Sequence, residues 1–330
     1  RHGLRVLHPR FTAPPGLGMW TNPFALERVA RATLAGLIAR GARFDAIDAH
    51  YLYPDGAAAV RLGAHFGLPV VITARGSDTS QLPDYAWPRR LILDAIARAD
   101  AVIAVSAGLK AGLVALGAPA GKVTVLRNGV DLALFHPPAD RARARAALGL
   151  GDGPVLLSVG QLIERKGHHL TIEALRDLPG HTLLIAGEGP ERAALTALAA
   201  RLGVAERVRL LGAQPHAALP GLYGAADVMV LASAREGWAN VLLESLACGT
   251  PVVTTPAWGA SEAVADPVAG LVVQEFTAAA IGGGVRRVLG AGTPRETVRA
   301  YAAQFGWGET TAGQLALFQR VLAARGARSA

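Results

Sequence analysis

A single cysteine, Cys248, stands among 330 residues. That excludes an internal disulfide framework and leaves any zinc site without a pair of thiolates. Cys248 sits in an apolar helical pattern, so it reads as a core filler. No apolar run approaches the roughly 18 residues of a membrane-spanning helix. The opening stretch, RHGLRVLHPR, lacks the layout of a secretory signal, and the expected location is cytoplasmic. Charge is also sparse, at 18% of residues against 51% hydrophobic, which rules out a disordered chain and fits folded globular domains. A net charge of +8 invites a nucleic-acid partner, but most of the cations are single arginines scattered on Ala-rich stretches. Only RARAR at 141–145 and PRR at 88–90 cluster, with little aromatic interleaving and no recognised motif, so no nucleic acid is expected. The excess reads as solvated surface, compatible with peripheral contact on the inner face of the cytoplasmic membrane, where each cation near anionic headgroups is worth about 1 kcal/mol.

The length suggests two domains, and the pattern divides accordingly. Short apolar runs, AIDAH, PVVITA, AVIAVS and KVTVL, alternate with helical stretches between 46 and 126. HPPAD at 136–140 breaks the chain, and a second series follows: PVLLSVG, TLLIAG, RVRLLG, VMVLAS, PVVTT and GLVV. Such alternation predicts two α/β, Rossmann-like, doubly wound domains with parallel sheets, over residues 1–135 and 136–305. GWGETTAGQLALFQRVLAAR at 306–325 predicts a long amphipathic helix in the remaining segment, 306–330. Ligands are expected at the C-terminal strand edges.

Residues 235–262, REGWANVLLESLACGTPVVTTPAWGASE, carry the strongest local signal. A strand precedes them, and VLLESLA has helical spacing, so Gly237, Trp238 and Ala239 form a loop opening onto a helix N-terminus that begins with Asn240 and Val241. Unpaired N–H groups and the helix dipole draw phosphate to such an end. Glu236 can reach a sugar hydroxyl beside that phosphate. Glu244, about 12 Å further along if the intervening residues are helical, can reach a second polyol such as a ribose. In isolation, a glutamate at either place is a cap or a solvated residue.

The run E-G-aromatic, an apolar helix, A-C-G-T-P-V-V and then G-x-x-E resembles the C-terminal signature of the glycosyltransferase family 4 enzymes, which have the GT-B fold. The resemblance implies two Rossmann-like domains facing across a cleft, with the C-terminal helix crossing back to the first. It also implies a retaining transferase whose paired glutamates, seven residues apart, contact a UDP- or GDP-sugar. The donor would meet Gly160, Gln161, Arg165 and Lys166 in SVGQLIERKG, Gly187 in AGEGPE, and Arg209 and Leu210 in RVRLLG. It would also meet Glu236, Gly237, Trp238, Ala239, Asn240, Val241 and Glu244. Gln161 stands where the family usually has an arginine, so charge on the diphosphate falls to Lys166 and Arg165. His168 and His169, adjacent on a helix, face different ways and read as solvent-facing or capping residues, not a metal pair.

ITARGSD at 72–78 matches a place where many family members have T-x-H-G, and Arg75 replaces that histidine. Arginine stays protonated and cannot act as a base, but it can stabilise a leaving diphosphate or orient an anionic acceptor. Ser77, Asp78 and His50 belong to the acceptor side, although His50 reads first as a satisfied core histidine. No D-x-D occurs, so no metal and no cofactor is expected. Glu236, Lys166 and Arg75 would carry the chemistry, by electrostatic stabilisation of the departing diphosphate. The acceptor would be a glycan or polyprenyl-linked sugar in surface polysaccharide or glycoconjugate synthesis. APPGLG at 13–18, after only a brief strand, is too proline-rich for the Gly-rich loop that usually opens this fold, and a missing N-terminal segment is expected. Two rival readings remain, a sugar-nucleotide epimerase and a non-catalytic sugar-nucleotide-binding subunit.

Overall fold

In the computed structural model, Gly3 and residues 5–329 are described, with side chains to residue 326. The ten strands expected from residue 46 onward all form. The first four are β1 (Ile47–His50), β2 (Val70–Ala74), β3 (Ala101–Ala104) and β4 (Val123–Val125), parallel in the order 1-2-3-4. Six more make a second parallel sheet: β5 (Val155–Val159), β6 (Thr182–Ala186), β7 (Val208–Gly212), β8 (Val228–Leu231), β9 (Val252–Thr254) and β10 (Gly270–Val272). Central strands β2, β5 and β8 are buried along their whole length, whereas edge strands β1, β7 and β10 are only partly covered. That is the burial expected of parallel sheets with helices on both faces, and it explains why these strands are unbroken aliphatic runs. The brief strand expected before residue 13 does not occur among the described residues: residues 5–14 have no regular structure, and a helix follows at Gly18–Ala39.

The chain packs as two compact units, each with its own sheet. The first runs to Arg127 and takes up the chain again from Thr311; the second is Asn128–Thr310. The C-terminal helix Trp307–Ser329 therefore ends in the first unit, where Leu317 and Val321 are buried with Val71, Ala101 and Ile103. The second unit begins upstream of the Pro-rich break because its own residues hold this stretch. Trp238 Nε1 donates to Asn128 O at 3.1 Å, and Arg299 donates to the carbonyls of Leu132 (2.8 Å) and Phe135 (2.5 Å).

The sheet order 10-9-8-5-6-7 decides where the site of the second unit lies. The chain winds outward from β5 through β6 to β7, then returns to place β8 on the other side of β5. The loops leaving β5 and β8 thus diverge from neighbouring strand ends, the switch point at which open α/β sheets bind ligands. Part of the positive charge is consumed by folding, contrary to the expectation of a wholly solvated surface. Arg141 and Arg145 of RARAR pair with Asp227 at 2.5 and 3.2 Å. Arg295 donates to the carbonyls of Gly224, Ala226 and Cys248. Cys248 itself is fully buried, and burial pushes its thiol up to about 12, so it is inert packing.

Candidate active site

The loop after β5 folds as a 3-10 turn, Glu164–Lys166, then Gly167, then the helix His168–Ala174. The loop after β8 leads into the helix Asn240–Ala247. Side by side, they bring Lys166 Nζ to 2.5 Å from Glu236 Oε1, with only 17% and 10% of these side chains exposed. Seventy residues separate the two in the chain, and only the switch in strand order joins them. Their backbones interlock as well: Ala234 N–H donates to Arg165 O at 2.9 Å, and Arg165 Nη1 donates to Arg235 O at 3.2 Å.

Glycines make this contact possible. Gly167 has φ +66°, and a Cβ there would stand 1.9 Å from Ala232 O. In the G-x-G turn after β6, a Cβ on Gly187 would lie 1.8 Å from Gly160 O, so this turn seats the β5 loop and needs no nucleotide to account for its glycine. Hydrogen bonds follow the same seam, from Gly160 N to Ala186 O (3.0 Å), Leu162 N to Glu188 O (2.8 Å) and Gly187 N to Gly212 O (2.8 Å).

The helix Asn240–Ala247 has no side-chain N-cap and no acidic residue in its first turn. Its leading amides have no carbonyl of the same helix to bond, so the positive end of the dipole is not answered by its own side chains. Trp238 turns inward: the ring is buried and its N–H is spent on Asn128, leaving the backbone of residues 237–239 as the polar part of the loop. Asn240 Oδ1 accepts from Asn128 Nδ2 at 3.1 Å. Glu244 lies one turn deeper, 9% exposed, where Tyr223 OH donates to its Oε2 at 2.8 Å and His216 Nε2 stands 3.6 Å from its Oε1. Burial pushes this carboxyl up, and the Tyr223 hydroxyl and His216 pull it back. The Tyr223 phenol is pushed up by burial and by the same carboxylate, so it stays protonated and donates. Neither partner carries a motif; the only sequence signal for Tyr223 is a phenol on an otherwise apolar helix.

Two expected residues, Arg209 and Leu210, lie on β7. Arg209 donates from β7 to Leu148 O (2.9 Å) and Gly149 O (3.1 Å), and Leu210 packs against the hydrophobic core, so neither side chain joins the others. Gln161 is exposed on the β5 loop, and its carbonyl accepts from His168. His168 is a correction. It is buried, not solvent-facing, with Nε2 donating to Gln161 O at 3.1 Å and Nδ1 accepting from Ser158 Oγ at 3.0 Å, which ties the loop to its strand. Burial, with Lys166 nearby, pushes its pKa down to about 4.

A pH dependence follows. The unfolded histidine takes up its proton near the ordinary value of 6.5, and the folded one only near 4. The unfolded chain therefore binds more protons between these values. Stability is fully present above about pH 6.5 and falls by about 3 kcal/mol as the pH drops toward 4. Denaturant melts from pH 7 to 4 should show this slope, and His168→Asn should remove it; equal slopes would refute the assignment.

In the first unit, Arg75 Nη2 donates to His50 Nδ1 at 2.6 Å, which places the His50 proton on Nε2, 3.6 Å from Asp48 Oδ2. His50 is 46% exposed in its side chain, so it is not the core histidine expected. Asp78 is fully buried and accepts from the amides of Leu52 (2.8 Å), Gly76 (2.8 Å) and Arg75 (3.1 Å). It fixes the loop that aims Arg75, and its oxygens are committed to that task. Ser77 is half-buried at the head of the single turn Ser77–Ser80.

Two family models cover the chain. Residues 140–305 match the glycosyl transferases group 1, and residues 2–134 match glycosyltransferase family 4. A D-inositol 3-phosphate glycosyltransferase of Acidothermus cellulolyticus is 34% identical over 310 residues, 86% of this chain and 68% of its own length. A like-named protein of Mycobacteroides abscessus is 36% identical over 76% of this chain. The chain spans about half to two thirds of these relatives. Among solved structures, a sucrose-phosphate synthase from Thermosynechococcus elongatus superposes with a TM-score of 0.83 at 25% identity, covering 96% of this chain and 83% of its own. The Anabaena protein Alr3699/HepE, in complex with UDP, does so with a TM-score of 0.79 at 23% identity, covering 94% and 85%, and shares the fold.

Proposed function

Because this chain belongs to glycosyltransferase family 4, with residues 140–305 matching the glycosyl transferases group 1, we propose that it moves a sugar from a UDP- or GDP-sugar to a glycan or lipid-linked acceptor. The observation that carries the reading is the Lys166–Glu236 pair at the ends of the switch-point strands, with the uncapped helix and Glu244 beside it. These groups match a nucleoside diphosphate sugar part by part. Lys166 and the amides of 237–239 take the diphosphate, Glu236 takes a sugar hydroxyl, and Glu244 takes the ribose hydroxyls.

Transfer breaks the bond between the sugar's anomeric carbon and the diphosphate oxygen and forms one to an acceptor hydroxyl. Negative charge grows on the leaving phosphate, where Lys166 is already fixed by its carboxylate partner and needs little reorganisation. The departing phosphate takes the acceptor's proton, which suits retention of configuration on one face. With cations from the protein meeting that charge, the proposed route runs without a metal ion. Surface polysaccharide or glycoconjugate synthesis is the proposed setting, and peripheral contact with anionic lipid the proposed placement.

Titration calorimetry with UDP and GDP tests the donor site. Glu244→Ala should weaken the better ligand by about 1.5–3 kcal/mol, the worth of hydrogen bonds to a charged group. Unchanged binding would remove Glu244 from the site. Nucleoside diphosphate release is then followed with glycan, polyprenyl-linked and polyol-phosphate acceptors, the last because the curated relatives are named for D-inositol 3-phosphate. EDTA should leave the rate unaltered, and strict dependence on Mg²⁺ or Mn²⁺ would overturn the metal-free route. Binding without turnover across the panel would favour the non-catalytic subunit.

A further inference from the structure

A carboxylate that is to grip a pair of hydroxyls must be ionised and held in one orientation. Glu244 meets neither condition unaided: it is buried, and a glutamate side chain has three rotatable bonds. Tyr223 is built to supply both. Its side chain is fully buried, its ring packs edge-on against Phe135 at 6.1 Å, and its carbonyl accepts from Thr250 Oγ1 at 2.6 Å. The hydroxyl is therefore a fixed point, and its one proton goes to Glu244 Oε2 at 2.8 Å.

We infer that Tyr223 is a positioning residue for nucleotide recognition, pinning Oε2 of Glu244 so that Oε1 and the remaining lone pairs are presented to the ribose 2′- and 3′-hydroxyls. The inference rests on the donor site proposed above. It explains why a full phenol, and not another leucine, stands in the apolar helix Leu219–Ala225. A hydrogen bond to the charged form of the acid opposes the effect of burial and keeps the acceptor ionised. His216, whose ring stands 3.6 Å from Oε1 and packs edge-on against Phe135 at 5.0 Å, is mostly exposed and leaves Oε2 to Tyr223.

The test compares UDP with 2′,3′-dideoxy-UDP, and GDP with its dideoxy form in parallel, by calorimetry on the full chain. Tyr223→Phe removes one oxygen and keeps the packing. It should weaken the parent nucleotide about tenfold, as expected for a lost hydrogen bond to a charged group, and the dideoxy form less than about twofold. In a Glu244→Gln background, Tyr223→Phe should cost less than about twofold for either, because the group it acts through is gone. Equal losses for both nucleotides, or no loss, would overturn the inference and leave Tyr223 as packing. If Glu244→Gln itself leaves UDP and GDP binding unchanged, the donor-site reading fails and the inference with it. If that variant binds weakly and Tyr223→Phe binds normally, only the inference fails. Thermal melts confirm folding. Should Tyr223→Phe not fold, Glu244→Asp, which keeps the charge but draws it one methylene back from the hydroxyl, should show the same ribose-dependent loss, and parent-like binding would overturn the inference.

Discussion

Lys166→Ala is expected to lower turnover by about two to three orders of magnitude while leaving donor affinity within a few-fold of the parent. The size follows from comparable losses when one preorganised charge or donor is taken from a developing oxyanion, about 3–4 kcal/mol of barrier. The asymmetry follows from timing. In the proposed donor site, the charge of the resting diphosphate would already be spread and partly met by the amides of 237–239. Only as the glycosidic bond breaks would it concentrate on the oxygen that the proposal sets against Lys166, and an interaction accelerates a reaction only by being stronger in the transition state. Removing Lys166 also strands Glu236, whose side chain is 10% exposed, so melts must accompany the kinetics. Lys166→Arg, which keeps the charge but replaces a compact ammonium by a planar fork, should recover part of the rate. A rise in donor KM with turnover untouched would make Lys166 a ground-state anchor and end its proposed role.

The elements that proved legible in the sequence share a physical cause. Strands such as VLLSV and VMVL are buried on both faces, so composition alone marks them out, and the helix Asn240–Ala247 announces itself by its apolar spacing. The sequence did not pair Lys166 with Glu236; that contact comes from the sheet order, which sets the β5 and β8 loops side by side at a switch point. What stayed hidden depends on which partner a side chain finds across the fold. His168 and His169 are the same residue type in neighbouring positions, yet only the first meets Ser158 beneath the loop. Trp238 turns its N–H to Asn128, 110 residues away in the chain, and Arg141 turns to Asp227 instead of water. Periodicity reports which face is apolar; it does not say which carbonyl or carboxylate waits behind that face.

Gly167→Ala should be among the most damaging single methyl additions to the described residues, with a close backbone contact of the kind also met at Gly187 and Gly270. Gly167 sits between the turn that carries Lys166 and the helix that follows, at φ +66°, where a Cβ costs about 1–2 kcal/mol by backbone sterics alone. The added carbon would also lie 1.9 Å from Ala232 O, the backbone of the residue directly after β8, and backbone cannot rotate away as a side-chain tip would. Overpacking of this kind adds about 1–3 kcal/mol, for a total of about 2–5 kcal/mol in a denaturant melt. Whatever relief the chain finds must move the β5 loop away from the β8 loop. That separates Lys166 from Glu236, and a displacement of about 1 Å at a reacting centre is enough to cost about a hundredfold in rate. Gly180→Ala is the control, since Gly180 has a similar φ of +74° with nothing within 4 Å of its hypothetical Cβ. It should show the backbone term only, about 1–2 kcal/mol, with activity intact. If both variants lose the same stability and Gly167→Ala keeps its rate, the two loops are not in the contact described, and the pairing of Lys166 with Glu236 would need another explanation.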